Sequence, residues 1–196
     1  MKIVVLKFGG TSVGTIEKIK KVTDIIIEHK KKNKVIVVSS AMSGVTNDLI
    51  KKSKQISNNF TDSEYDVLVS SGEQVACSLI AGRLNHKGFK SRSWLGWQIP
   101  IFTNGPYTNS RIQQVNKNKL LRFLKEGGIP IITGFQGVNM NERVTTIGRG
   151  GSDASAIMIA KSFKAQRCII YTDVEGVYTT DPNKLKKAKK IKVISY

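Results

Sequence analysis

Four short stretches of this chain are apolar almost without interruption: residues 3–6, 35–38, 129–133 and 168–171. A strand with one wet face alternates apolar and polar residues, whereas continuous apolar runs suit strands buried on both faces. Between them lie segments with helical spacing. Residues 15–32 set Ile16, Ile19, Val22 and Ile26 on one side and lysines on the other. Further helices are predicted over about 47–56, over a long segment in which Leu68, Val75, Leu79 and Ile80 to Leu84 keep the period through Gly72, over 116–126 up to Gly127-Gly128, and over about 152–163. Residues 89–94 and 99–103 read as short strands, and 139–142 as a hairpin turn. Buried strands alternating with helices predict an α/β fold: a three-layer αβα sandwich with a mostly parallel central sheet.

Composition narrows the class. The 196 residues suit one domain, or one and part of a second, and the 40% hydrophobic content supports a sizeable core. No apolar stretch is long enough for a membrane span, and the start reads into a strand rather than a cleavable signal. Cys77 and Cys168 make no disulfide framework and have no metal-ligand spacing. A soluble, cytoplasmic protein of a reducing compartment is expected. The net charge of +18, from 32 basic and 14 acidic residues, favours anionic partners. Its lysines come in short runs such as Lys30-Lys31-Lys32 and Lys186-Lys187, which suit solvated helix faces and a tail, so neither nucleic acid nor a membrane is expected as partner.

Covalent hydrolase chemistry and structural zinc are poor fits. His29 lies on a lysine-rich helix face and His86 in a polar turn, both predicted at the surface and neither beside a nucleophile motif. No P-loop or protein-kinase signature occurs, and Gly148-Arg149-Gly150-Gly151 has Asp153 where a dinucleotide fingerprint needs its third glycine. What remains is four glycine- and hydroxyl-rich turns, each placed after a strand.

In the first, Lys7-Phe8-Gly9-Gly10-Thr11-Ser12, glycines let backbone amides approach a phosphate and Lys7 adds a compact charge. Its plain alternative is a tight turn with a surface lysine. The second runs from Ser39 and Ser40 through Ser43-Gly44-Val45-Thr46-Asn47, where ordinary N-capping by Ser43, Thr46 or Asn47 is the alternative. The third, Thr145 to Asp153, opens a helix whose free amides favour an anion, and its Arg149 suits a carboxylate. Asp153 there serves equally as a first-turn acid. The fourth, Tyr171 to Pro182, offers hydroxyls, an acid and an aromatic, or is simply a polar loop. Four such turns at the carboxyl ends of strands of one sheet predict a ligand site, because open α/β sheets bind there.

Taken together, KFGGTSV, VVSSAMSGVTN, SSGEQ, GFQGV, TTIGRGGSDASA and YTDVEGVYTTDP, in this order over residues 4–182, resemble the aspartokinases of the amino-acid kinase family. The resemblance implies transfer of the γ-phosphoryl group of ATP, with Mg²⁺, to the β-carboxylate of L-aspartate, the first step toward lysine, threonine and methionine. It implies Lys7 and Asp153 as catalytic residues, with Lys7 neutralising the moving phosphoryl group and Asp153 orienting Lys7 and its surroundings. Lys7, Phe8, Gly9, Gly10, Ser40, Thr172, Asp173 and Tyr178 would serve the nucleotide, Gly9 and Gly10 by donating amides. Glu73 would bind the aspartate ammonium and Arg149 its α-carboxylate, with Thr46, Phe135, Gly150, Gly151 and Ser152 completing the acceptor site. No protein metal site is implied.

Asn183-Lys184 stands where the family has arginine after TTDP. The resemblance also implies that residues 1–196 are an incomplete catalytic domain without ACT regulatory domains. Residues 1–150 would form the amino-acid lobe, and 151–196 the start of the nucleotide lobe, of a family whose full-length members form homo-oligomers. Two alternatives remain from the sequence. One is another kinase of the superfamily, for glutamate, acetylglutamate or uridylate, against which Glu73 and Arg149 speak. The other is an inactive nucleotide-binding or interaction module.

Overall fold

The computed structural model describes residues 2–148, 150–173, 176 and 189. The chain opens with β1 (Ile3–Phe8), α1 (Ile16–Lys30), β2 (Lys34–Ser39), α2 (Val45–Ile56) and α3 (Asp62–His86). Next come β3 (Ser91–Trp94), β4 (Ile101–Asn104), β5 (Arg111–Val115), α4 (Asn118–Lys125) and β6 (Ile129–Thr133). A short hairpin, β7 (Gln136–Val138) and β8 (Val144–Thr146), leads into α5 (Gly151–Ser162) and β9 (Arg167–Tyr171).

All four continuously apolar runs enter one sheet of five parallel strands, in the order β3-β6-β2-β1-β9. Alternate residues of each strand feed opposite faces. Val4, Leu6, Phe8, Val35 and Val37 pack under α1 and α3. Val5, Ile36 and Val38 pack with Leu120 and Leu124 of α4 and with Ala156 and Ile159 of α5. These are the three layers the sequence predicts. The α5 side chains therefore share a core with β1 and β2, and β9 pairs directly with β1. No helix among the described residues is long and apolar enough to cross a membrane.

A second sheet, β5-β4-β7-β8, was not expected. It holds antiparallel pairs, and its strand β5, RIQQV, is largely exposed, so no apolar run betrays it. The third glycine-rich turn follows β8 of this small sheet, so the four turns do not all belong to one sheet.

The long helix α3 also departs from expectation. Val75 and Leu79 face solvent, and the buried stripe is Asp66, Val69, Ser70, Gly72, Glu73, Ala76, Cys77, Ile80 and Leu84. Small residues set the spacing. A Cβ on Gly72 would stand 2.9 Å from that of Ala41, so the helix rests directly on the turn after β2. Two carboxylates are thereby carried into the interior.

Candidate active site

A cavity of about 640 Å³ lies at the carboxyl ends of β1 and β2. Lys7, Gly10, Ser40, Thr46, Glu73, Phe135, Gly150, Gly151, Ser152 and Asp153 all line it, which brings ten of the sequence-predicted site residues together.

Lys7 stands near the carboxyl end of the interior strand β1, paired across the sheet with Val38 and Ile170, and is 7% exposed. Its Nζ lies 2.7 Å from Asp153 Oδ1, a close ion pair whose aspartate side chain is 44% exposed. The first turn does not work quite as the motif suggests. Gly9 already donates its amide to the Tyr171 carbonyl at 3.1 Å, which leaves the Gly10 amide for a ligand. A Cβ on Gly10 would stand 3.0 Å from the Ala41 carbonyl oxygen, so glycine is what lets the first two turns touch.

Two helix N-termini converge on the cavity. Gly44 begins α2 with φ 86° and Gly150 begins α5 with φ 73°, both left-handed, and neither helix has a side-chain cap. N-capping of α2 by Ser43, Thr46 or Asn47 is therefore overturned, because the chain enters the helix through Gly44. Uncapped amides at two positive helix ends favour anions in the space between them. Phe135 is held left-handed at φ 66°, with its amide on Ser155 Oγ at 3.1 Å and its carbonyl accepting from Ile147 at 3.0 Å. A Cβ on Gly151 would stand 2.9 Å from the Phe135 ring, which therefore packs tightly on the start of α5.

Glu73 is the cavity's other pole. It is 3% exposed, its Oε1 accepts from the Ala41 amide at 3.1 Å, and its Oε2 has no partner among the described residues. Burial pushes its pKa up to about 7, against the Ala41 hydrogen bond, which pulls it down. Next to it, burial and the Glu73 charge raise the Cys77 thiol well above its ordinary value, so Cys77 is an inert packing residue.

Sequence reasoning missed Asp66, Tyr65 and Thr108. Asp66 is fully buried two turns before Glu73, and it accepts from the amides of Thr108 and Thr146 and from the Thr146 hydroxyl at 2.7 to 3.1 Å. It ties α3 to two segments that line the cavity. The available signal was an acid on the same helical face as Glu73, obscured by Asp62 and Glu64 in the first turn, where acids need no special reason. Asp66→Asn turns one acceptor into a donor facing donors. It is expected to cost about 3 kcal/mol, read as a lower urea midpoint with an unchanged m-value.

Phe8, Thr172 and Asp173 do not line the cavity. The Phe8 side chain is buried and stacks on Tyr171 with ring centroids 4.8 Å apart, so only its backbone is near a ligand. Thr172 and Asp173 are exposed. Arg149 and Tyr178 lie outside the described residues. His29 is not the free surface residue the sequence suggests: its Nε2 is 2.9 Å from the Tyr171 hydroxyl. Among the described residues no group of three or more His, Cys, Asp or Glu is placed to hold a metal ion.

The family model for the amino acid kinase family matches residues 2–196. Aspartokinase from Geobacillus stearothermophilus is 50% identical over all of this chain and 48% of its own length. Aspartokinase from Rickettsia conorii is 48% identical over all of this chain and 50% of its own. The chain thus spans about half the length of the curated relatives it matches. In structure it resembles E. coli aspartokinase III in complex with aspartate and ADP, with TM-score 0.84, 28% identity, and coverage of 97% of this chain and 53% of that one. Isopentenyl phosphate kinase, with TM-score 0.66 and 18% identity over 98% of this chain and 82% of its own, shares the fold.

Proposed function

The chain belongs to the amino acid kinase family, and within it we propose that its cavity transfers the γ-phosphoryl group of ATP to the β-carboxylate of L-aspartate. The observation that carries the reading is Glu73 Oε2, a buried carboxylate oxygen without a partner among the described residues, in a cavity otherwise suited to anions. A carboxylate so placed is costly unless a cation arrives. The α-ammonium of an amino acid is such a cation, and its carboxylates suit the helix ends.

A carboxylate nucleophile is already ionised, so no base need remove a proton. Catalysis then rests on position and charge. Lys7 neutralises the oxygens of the phosphoryl group in transit, and Asp153 holds its ammonium in place. The Gly10 amide and the N-terminus of α5 add fixed dipoles that need no reorganisation. Thr46 and Ser152 hydrogen-bond the acceptor, Phe135 walls it, and Arg149 pairs with its α-carboxylate. Ser40, Thr172, Asp173 and Tyr178 serve the nucleotide. Mg²⁺ enters with ATP as part of the substrate, held mainly by phosphate oxygens. The resemblance to aspartokinases over the whole chain supports aspartate over other acceptors.

ATP-dependent hydroxamate formation, run with L-aspartate, with L-glutamate and without acceptor, tests the proposal. Aspartate-dependent product is expected. Preference for glutamate, or product that ignores the acceptor, would overturn the assignment.

A further inference from the structure

A second cavity, of about 580 Å³, opens between the edge strand β3, the 95–98 turn and α4, and it shares no residue with the first. Trp94 and Trp97, the two tryptophans of the chain, both line it. Trp94 is 5% exposed, and its indole N–H is buried without an acceptor among the described residues. Trp97 stands half exposed.

The charges around these rings are one-sided. The Arg92 guanidinium lies 4.1 Å from the Trp94 ring centroid. Arg92 and Arg122 make no close ion pair among the described residues, and the one lining acid, Glu126, is held by Lys90 at 2.6 Å, with the hydrogen bond and charge of Lys90 and the charge of Arg122 drawing its pKa down. Lys119 donates to the Gln98 carbonyl at 2.9 Å. The turn is fixed from behind, with the Gly96 amide on Gln136 Oε1 at 3.3 Å and Gln136 Nε2 on the Ser70 carbonyl at 2.9 Å. Trp97 is thus presented on a preorganised turn.

We propose that this cavity is a second binding site, for a small molecule that joins a flat aromatic ring to a phosphate or carboxylate. The ring stacks against the half-exposed Trp97, since Arg92 already covers the Trp94 ring, and the anion is met by the lining guanidinium groups of Arg92 and Arg122, which have the fork geometry for it. The volume suits a ligand of this size.

Tryptophan fluorescence reports this cavity alone, since both tryptophans line it. Titration with phenyl phosphate and with phenylacetate is expected to give a saturable change for at least one, and the tighter of the two identifies the anion. Inorganic phosphate and benzyl alcohol, each carrying half of the chemistry, should bind roughly tenfold or more weakly. Arg122→Gln should weaken binding roughly tenfold, with melting temperature and hydroxamate formation unchanged. No saturable response, halves that bind as well as the joined molecule, or an Arg122→Gln protein that binds as before would each overturn the site.

Discussion

Replacing Lys7 with methionine is expected to leave the protein folded and to lower kcat about 10³-fold or more, with a smaller change in the KM for the amino acid. Methionine keeps the length of the buried stem and removes only the charge. That charge acts where negative charge is redistributed in the transition state, and groups of this kind are worth about 10³-fold or more in phosphoryl transfer. The ion pair is asymmetric, which separates chemistry from folding. Asp153 is 44% exposed and hydrates when Lys7 is gone, whereas Lys7 is 9% exposed by side chain and depends on its counterion. Asp153→Ala leaves a buried ammonium unpaired and is expected to cost about 3 kcal/mol of stability, well above the loss for Lys7→Met. Steady-state kinetics and urea unfolding on both variants check this. Lys7→Met with near-normal kcat, or stability losses in the reverse order, would remove Lys7 from its proposed role.

Much of this arrangement is legible in the sequence, and the parts that are not fail for physical reasons. The central sheet is legible because β1, β2 and β6 are buried along nearly their whole length and so carry almost uninterrupted apolar runs, and β9 carries a similar run although its residues are only partly buried or exposed. The second sheet is hidden because β5 carries Arg111, Gln113 and Gln114 to solvent. Glu73 stands out as an acid among the small and apolar residues of a long helix. Asp66 does not, since its position near the start of α3 mimics a helix-dipole acid. Val75 and Leu79 mislead because helical spacing gives a stripe but not its direction, and the side with Gly72 and Ala76 allows the closer approach. The Gly9-Gly10 pair reads as two ligand amides, yet one closes the sheet onto Tyr171. A motif records which residues a turn needs without saying which of them serve the fold.

Glu73→Gln is expected to make the free protein more stable at pH 8 while weakening aspartate binding on the order of 10²-fold. The native carboxyl titrates at about 7, against 4.5 for the ordinary value. Below pH 4.5 both the folded and unfolded forms hold the proton, and the substitution changes little. Between there and pH 7 the unfolded chain releases its proton while the folded chain keeps it, so the wild type loses stability as pH rises. Above pH 7 the loss is complete, at about 3 kcal/mol as an upper figure. The variant avoids that loss because glutamine does not titrate. Its thermal unfolding should therefore exceed wild type at pH 8 and converge with it toward pH 4.5.

Binding runs the other way. An ammonium needs the ionised carboxylate, so the wild-type KM for aspartate should rise as pH falls through 7, and in the variant it should be flat over the same range. Equal stabilities at pH 8 would mean that Glu73 is better solvated than its 3% exposure implies. A wild-type KM without this pH dependence, or a variant with unchanged KM, would mean that the amino group binds elsewhere. A gain in stability together with a loss of binding identifies a residue kept for its ligand at the expense of the fold.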